Sequence, residues 1–92
     1  MSADTIEALV DDSTLLVFDG SVLELFGYTD VHRTHVWQRP RLVLVDGNRP
    51  RLEITTARGL RHGMTYDPVR RAGLEALDAA LAEAIARRDA DG

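Results

Sequence analysis

Along the first two thirds of the chain the hydrophobic residues come in short runs parted by turn residues, and along the last third they return every three or four positions. The first rhythm predicts the strands of a meander and the second an amphipathic helix. Leu15, Leu16, Val17 and Phe18 meet Asp19-Gly20, and Val22, Leu23, Leu25 and Phe26 follow. That pattern predicts strands at 13–18 and 21–27 joined by a type I′ turn, in which both central residues need positive φ. Val31–Gln38 alternates, with Arg33, His35 and Trp37 on one side and His32, Thr34, Val36 and Gln38 on the other. Arg39-Pro40 ends this run, because proline has no N–H to give a ladder. Arg41–Asp46 is the next strand and Gly47–Pro50 the next turn. Arg51–Thr56 alternates with Leu52, Ile54 and Thr56 on one face, and beyond the break at Arg58-Gly59 a last strand runs over Leu60–Tyr66, bent at Gly63.

Asp67-Pro68 is a helix start, since Asp accepts from the free amides of the first turn and Pro at the first position loses no needed donor. Leu74, Leu77, Leu81 and Ile85 then fall on one stripe, beside a shoulder of Gly73, Ala76, Ala80 and Ala84 that lets a sheet approach closely. Glu83 and Arg87 stand four apart in the favourable order, and the helix is expected over about 68–88. The stripe is what one sheet-covering helix requires, so it is read as core rather than as a dimer seam. Residues 1–12 are small and acidic and predict a partly ordered N-terminal arm, in which Ile6, Leu9 and Val10 could form one helical turn or pack on a sheet edge; with the arm the strands would number seven. Residues 13–92 are then the single domain.

Length and composition narrow the function. Ninety-two residues support one core, and a domain of this size buries only about 60–65% of the surface its unfolded chain exposes. Little is left for a deep, water-excluding pocket, so the expectation is a non-catalytic protein. Cysteine is absent, which excludes disulfides and thiolate zinc sites and fits a reducing, cytoplasmic setting. The first residues lack the basic start and apolar run of a signal peptide, and no stretch reaches the length of a membrane span.

The formal charge of −4 is unevenly spread. Residues 1–32 carry seven acids and no base, residues 33–71 carry nine Arg against Asp46, Glu53 and Asp67, and residues 72–92 carry five acids against Arg87 and Arg88. An Arg-rich middle lies between acidic flanks, and Arg39, Arg41, Arg49 and Arg51 keep strand parity about the turn at Gly47-Asn48. Two readings stay open: these guanidinium groups balance acids of the same protein, or they meet an acidic partner. Nucleic acid is disfavoured by the overall acidity and the few stacking aromatics, Trp37, Tyr28, Tyr66, Phe18 and Phe26. Trp37 flanked by arginine has the composition of an interface anchor as well as that of a core plug. The candidate contacts are Arg33, Trp37, Arg39, Arg41 and Arg51.

Other chemistry finds less support. His32 and His35, three apart on a strand, project to opposite faces and cannot share an ion without a bulge, and nothing fixes His62 relative to them. No local arrangement holds a nucleophile against a base. No cofactor and no metal is expected.

The opening hairpin LLVFDGSVLELFG, the polar strand VHRTHVWQ and the segment LEITTARGLRHGMTYDPVRRAGLEALDAALAEAI, in which strand, glycine turn, strand and amphipathic helix succeed one another, resemble the bacterial pleckstrin-homology-like (PH-like) domains. These include small actinobacterial ones of unknown function. The resemblance covers about residues 13–88. It implies an α+β fold, an antiparallel half-open barrel of six to seven strands capped by one C-terminal amphipathic helix. Phosphoinositide-binding members of the wider family gather basic residues in the loop between the first two strands. Here that loop is Asp19-Gly20-Ser21, acidic and short, so the resemblance implies a protein or peptide interaction module whose partner carries an acidic segment. Such domains also self-associate through exposed sheet edges. The alternative is a membrane-surface or anionic-ligand binder using the same Arg-rich strands.

Overall fold

The computed structural model describes residues 5–27 and 29–91. Seven strands precede one helix: β1 Ile6–Asp11, β2 Thr14–Phe18, β3 Val22–Phe26, β4 Val31–His35, β5 Arg41–Val45, β6 Arg51–Thr56, β7 Gly59–Thr65 and α1 Arg71–Asp91. The first four form one antiparallel sheet in the order β1-β2-β3-β4, and the last three a second in the order β5-β6-β7. The class is therefore α+β, as the pattern predicts. No ladder joins the sheets among the described residues, so the barrel is not closed by strand pairing.

The hydrophobic alternation is what fixes register. Leu16, Phe18, Leu23 and Leu25 face inward from the first sheet and Leu42, Leu52 and Ile54 from the second. A slip of one residue would turn each set to solvent. Leu74, Leu77, Leu81 and Ile85, the whole expected stripe, are buried beneath the helix. That helix lies over β1 and β5, one outer strand of each sheet. Its small shoulder permits the approach: a Cβ placed on Gly73 would stand 3.9 Å from the Ala8 Cβ. At the start of α1, Asp67 accepts from the Val69 N–H at 3.1 Å with Pro68 behind it, but the first turn, Pro68–Arg70, is a 3-10 turn. The Asp67 N–H donates to the Val10 carbonyl, which ties the helix entrance to β1.

Five details differ from the sequence reading. Within residues 1–12, read as an arm, Ile6–Asp11 pair with β2 and bury Ala8 and Val10, which supplies the seventh strand; residues 1–4 lie outside the described residues. The Asp19-Gly20 hairpin is formed without a type I′ turn: Gly20 takes φ +99°, whereas Asp19 does not enter positive φ and its carboxylate accepts from the Ser21 and Val22 amides at 2.8 Å each. An Asx turn has replaced the strained Asp conformation. The strand from Val31 stops at His35, and Val36–Gln38 form a 3-10 turn. Finally, the irregularity in β7 is a bulge at Arg61: Ile54 pairs with His62 and Thr55 with Leu60, so Arg61 is the extra residue, while Gly63 pairs squarely with Glu53. α1 also runs slightly past the expected end, to Asp91.

Candidate interaction site

The 3-10 turn after β4 is locked by backbone and side-chain bonds. The Val36 N–H donates to the Ser21 carbonyl, the Arg39 N–H to the Val36 carbonyl, and the His35 N–H to the Gln38 Oε1 at 2.8 Å. Arg39 closes it in the left-handed region (φ 61°, ψ 58°), and buried Pro40 follows, which carries the chain out of the first sheet and into the second. A turn of this shape breaks the alternation that the sequence suggests for Trp37. The indole is left 59% exposed and stacks on the His35 ring, with centroids 5.7 Å apart and planes 13° apart. Trp37 is thus a surface residue, which settles it against a role as a core plug.

Facing Trp37 is the turn between β6 and β7. The Ala57 N–H donates to the Gln38 carbonyl at 3.0 Å and fastens the two turns together. Gly59 adopts φ +114°, a conformation that glycine reaches without steric cost. The Arg58 N–H donates to the Thr56 hydroxyl oxygen. Between the turns lies a groove of about 590 Å³, lined by Trp37, Gln38, Ala57, Arg58, Leu60 and Arg61 among others. Leu60 is 60% exposed. Among the described residues neither Arg58 nor Arg61 is paired with a carboxylate; the Arg61 Nη2 donates to the Arg33 carbonyl at 3.2 Å. The groove therefore offers two large apolar surfaces and two guanidinium groups without partner acids.

The four arginines singled out by the sequence are placed differently. Arg33 is bonded across the ladder to Glu24 at 2.9 Å. Arg39 makes two bonds of 2.8 Å to Asp89 near the end of α1. Arg41 makes two bonds of 2.8 Å to Asp78, which also accepts from the Leu42 N–H at 2.9 Å. Burial works against the Asp78 charge, but the Arg41 guanidinium and the Leu42 amide outweigh it and hold the carboxyl below its ordinary value. Arg51 lies 3.7 Å from Glu53 and spreads over Gly63, where a Cβ would collide with its guanidinium. The reading in which arginines balance acids of the same chain describes all four.

Nor do the five candidates share one face. Arg39 is not in a strand, and Arg41 and Arg51 sit at opposite ends of the β5–β6 hairpin, since Arg41 pairs with Thr55 and Arg51 with Val45. The four-residue offset is about 13 Å along a strand. Trp37 is the one candidate on the groove. Arg58, Leu60 and Arg61, its neighbours there, were readable only as a turn and the start of a strand; the available signal was a large apolar residue between two arginines directly after a glycine turn.

His32 and His35 do project to opposite sides, as their spacing predicts: His35 stacks on Trp37, whereas His32 meets His62. Among the described residues no group of three or more His, Cys, Asp or Glu is arranged to hold a metal ion. No helix among them is long and apolar enough to cross a membrane. No protein-family model matches the chain, and comparisons with curated proteins and with solved structures return no match.

Proposed function

We propose that this chain is a non-catalytic, PH-like interaction module that docks an extended peptide segment with acidic character in the groove between Trp37 and Leu60. Support for the PH-like reading is the chain order of seven antiparallel strands with a helix entered almost directly from the last of them. The observation that carries the docking site is the exposure of Trp37 and Leu60 on either side of a groove that also presents Arg58 and Arg61. Large apolar groups left in water beside cations without partner acids fit a partner that supplies both an apolar side chain and carboxylates. A phosphoinositide head group is a poorer fit. With Ile6–Asp11 as the first strand, the first loop is Asp12-Ser13, which is short and acidic, and Asp12 stands 3.6 Å from Arg70.

Selection of a random peptide library on the wild-type protein, followed by calorimetry of the selected sequences, tests this reading. Selected peptides should be rich in Asp or Glu around an aliphatic or aromatic residue, and their binding should weaken as salt is raised. Trp37→Ala should lower affinity by about tenfold or more, the scale of an interface anchor, and Arg58→Glu with Arg61→Glu should lower it further. Trp37→Ala should keep the wild-type melting temperature, since the indole stands largely in solvent, and the double arginine variant should lower it only slightly, through the lost bond from Arg61 to the Arg33 carbonyl. Selected peptides that bind equally well to Trp37→Ala would overturn the site. Salt-sensitive binding to anionic vesicles, with no peptide selected, would favour the membrane-surface alternative.

A further inference from the structure

No ladder joins β4 to β7, and side chains of the two strands meet there, His32 with His62 and Arg61 with the β4 backbone. One bond, from the Arg61 Nη2 to the Arg33 carbonyl, crosses on the outside. His32, its side chain 44% exposed, follows the parity of buried Thr34, and half-buried His62 pairs with buried Ile54, so the two imidazoles meet at the rim of the space between the sheets. Their ring centroids stand 4.7 Å apart. They border a cleft of about 360 Å³ with Thr14, Leu25, Asp30 and Met64. The His62 Nε2 is buried without a hydrogen-bond partner. We propose that this imidazole pair is an acid-sensitive latch on the seam: neutral rings close β4 on β7, and protonated rings drive the two strands apart.

The groups around the pair set its response to acid. On the β4 side, the Asp30 carboxylate lies 3.5 Å from the His32 Nε2. On the β7 side, His62 meets apolar Leu25 and Met64, and its nearest charged neighbours are the adjoining Arg61 and, once protonated, His32. Burial first, and then the charges of His32 and Arg61, hold His62 below the ordinary histidine value. A group whose pKa is depressed in the fold takes up fewer protons there than in the open form. The closed seam is therefore fully favoured above the ordinary histidine value and loses stability as pH falls below it. A proton on His62 finds no acceptor, because its Nε2 is buried without a partner, and it enters beside the His32 ring and the Arg61 charge.

Imidazole titration by NMR, with amide hydrogen exchange in β4 and β7, tests the latch between about pH 7.5 and about pH 5. His62 should titrate below the ordinary value and rise in His32→Gln. Protection of the β4 and β7 amides, corrected for the intrinsic rate, should fall about tenfold on acidification while the α1 amides lose less. His32→Gln and His62→Gln should each abolish most of that fall, and His35→Gln, on the outer face, should keep it. A wild-type His62 that titrates at or above the ordinary value overturns the proposal even if the variants fail to fold. So does a loss of protection that is spread evenly over the chain, or one that persists in both inner variants.

Discussion

Two side chains outside the groove carry disproportionate structural weight. Arg39 holds positive φ without being glycine, a conformation that L-residues with a Cβ adopt at a cost. Its side chain recovers something through Asp89, but that pair stands in water, where ion pairs contribute little. Arg39→Gly is therefore expected to leave the melting temperature almost unchanged, because steric relief offsets the lost pair and the added freedom of the unfolded chain. Arg39→Val, whose branch suits the left-handed region least, should lower it clearly. Thermal denaturation of the two variants side by side checks this. Asp78 differs in being half-buried and in serving two donors, Arg41 and the Leu42 amide. Asp78→Ala leaves both without an acceptor and should cost about 1–3 kcal/mol in urea denaturation. Because its carboxyl is held below the ordinary value of 3.8, its contribution is present above that value and lost as pH falls through the folded value. Acid unfolding should accordingly be shallower in Asp78→Asn than in the wild type. Neither role was visible in the sequence, where Asp78 is one more solvent-side position of a helix and Arg39 one more residue of a strand; both depend on what the helix happens to cross.

Elements were legible wherever a period persisted. The stripe Leu74, Leu77, Leu81 and Ile85 names its own buried face, and Asp67-Pro68 announces the helix start one turn early. Strands β2, β3, β5 and β6 follow their alternation to within a residue or so. What could not be read were departures decided by neighbours. Val36–Gln38 alternate as a strand should, yet they turn, because the Val36 N–H finds the Ser21 carbonyl and proline stands just ahead. Ile6–Asp11 look too acidic for a sheet, yet every second residue there covers the core while Glu7 faces water. The helix carries the largest single share of the core. Leu77→Ala and Leu81→Ala, both at positions without solvent exposure, should each cost about 2–5 kcal/mol by chemical denaturation. That is a large fraction of the roughly 5–15 kcal/mol that stabilises a domain. A loss below about 1 kcal/mol would mean that the helix is less tightly packed than its burial indicates.

For the molecule as a whole, the decisive relation is between two sheets that do not pair and a helix that covers one outer strand of each. The sheets share one core through α1, so far-ultraviolet circular dichroism and side-chain probes should report a single coincident unfolding transition at neutral pH. Shortening α1 before Leu81 should destroy folding rather than trim it. The same economy bears on the distribution of charge: the acidic C-terminal third returns to the Arg-rich middle through Asp78 and Asp89, which pair with Arg41 and Arg39. Arg58 and Arg61, which have no carboxylate partner among the described residues, stand beside Trp37. The chain has a single tryptophan, and it stands on the rim of the groove rather than in the core. Its emission should already lie close to that of an indole in water and change little when the protein melts. Loss of structure would pass almost unseen in a fluorimeter, whereas a ligand that covers the ring should shift the spectrum to the blue. The molecule thus carries an intrinsic optical reporter that is nearly blind to folding and sensitive to occupancy.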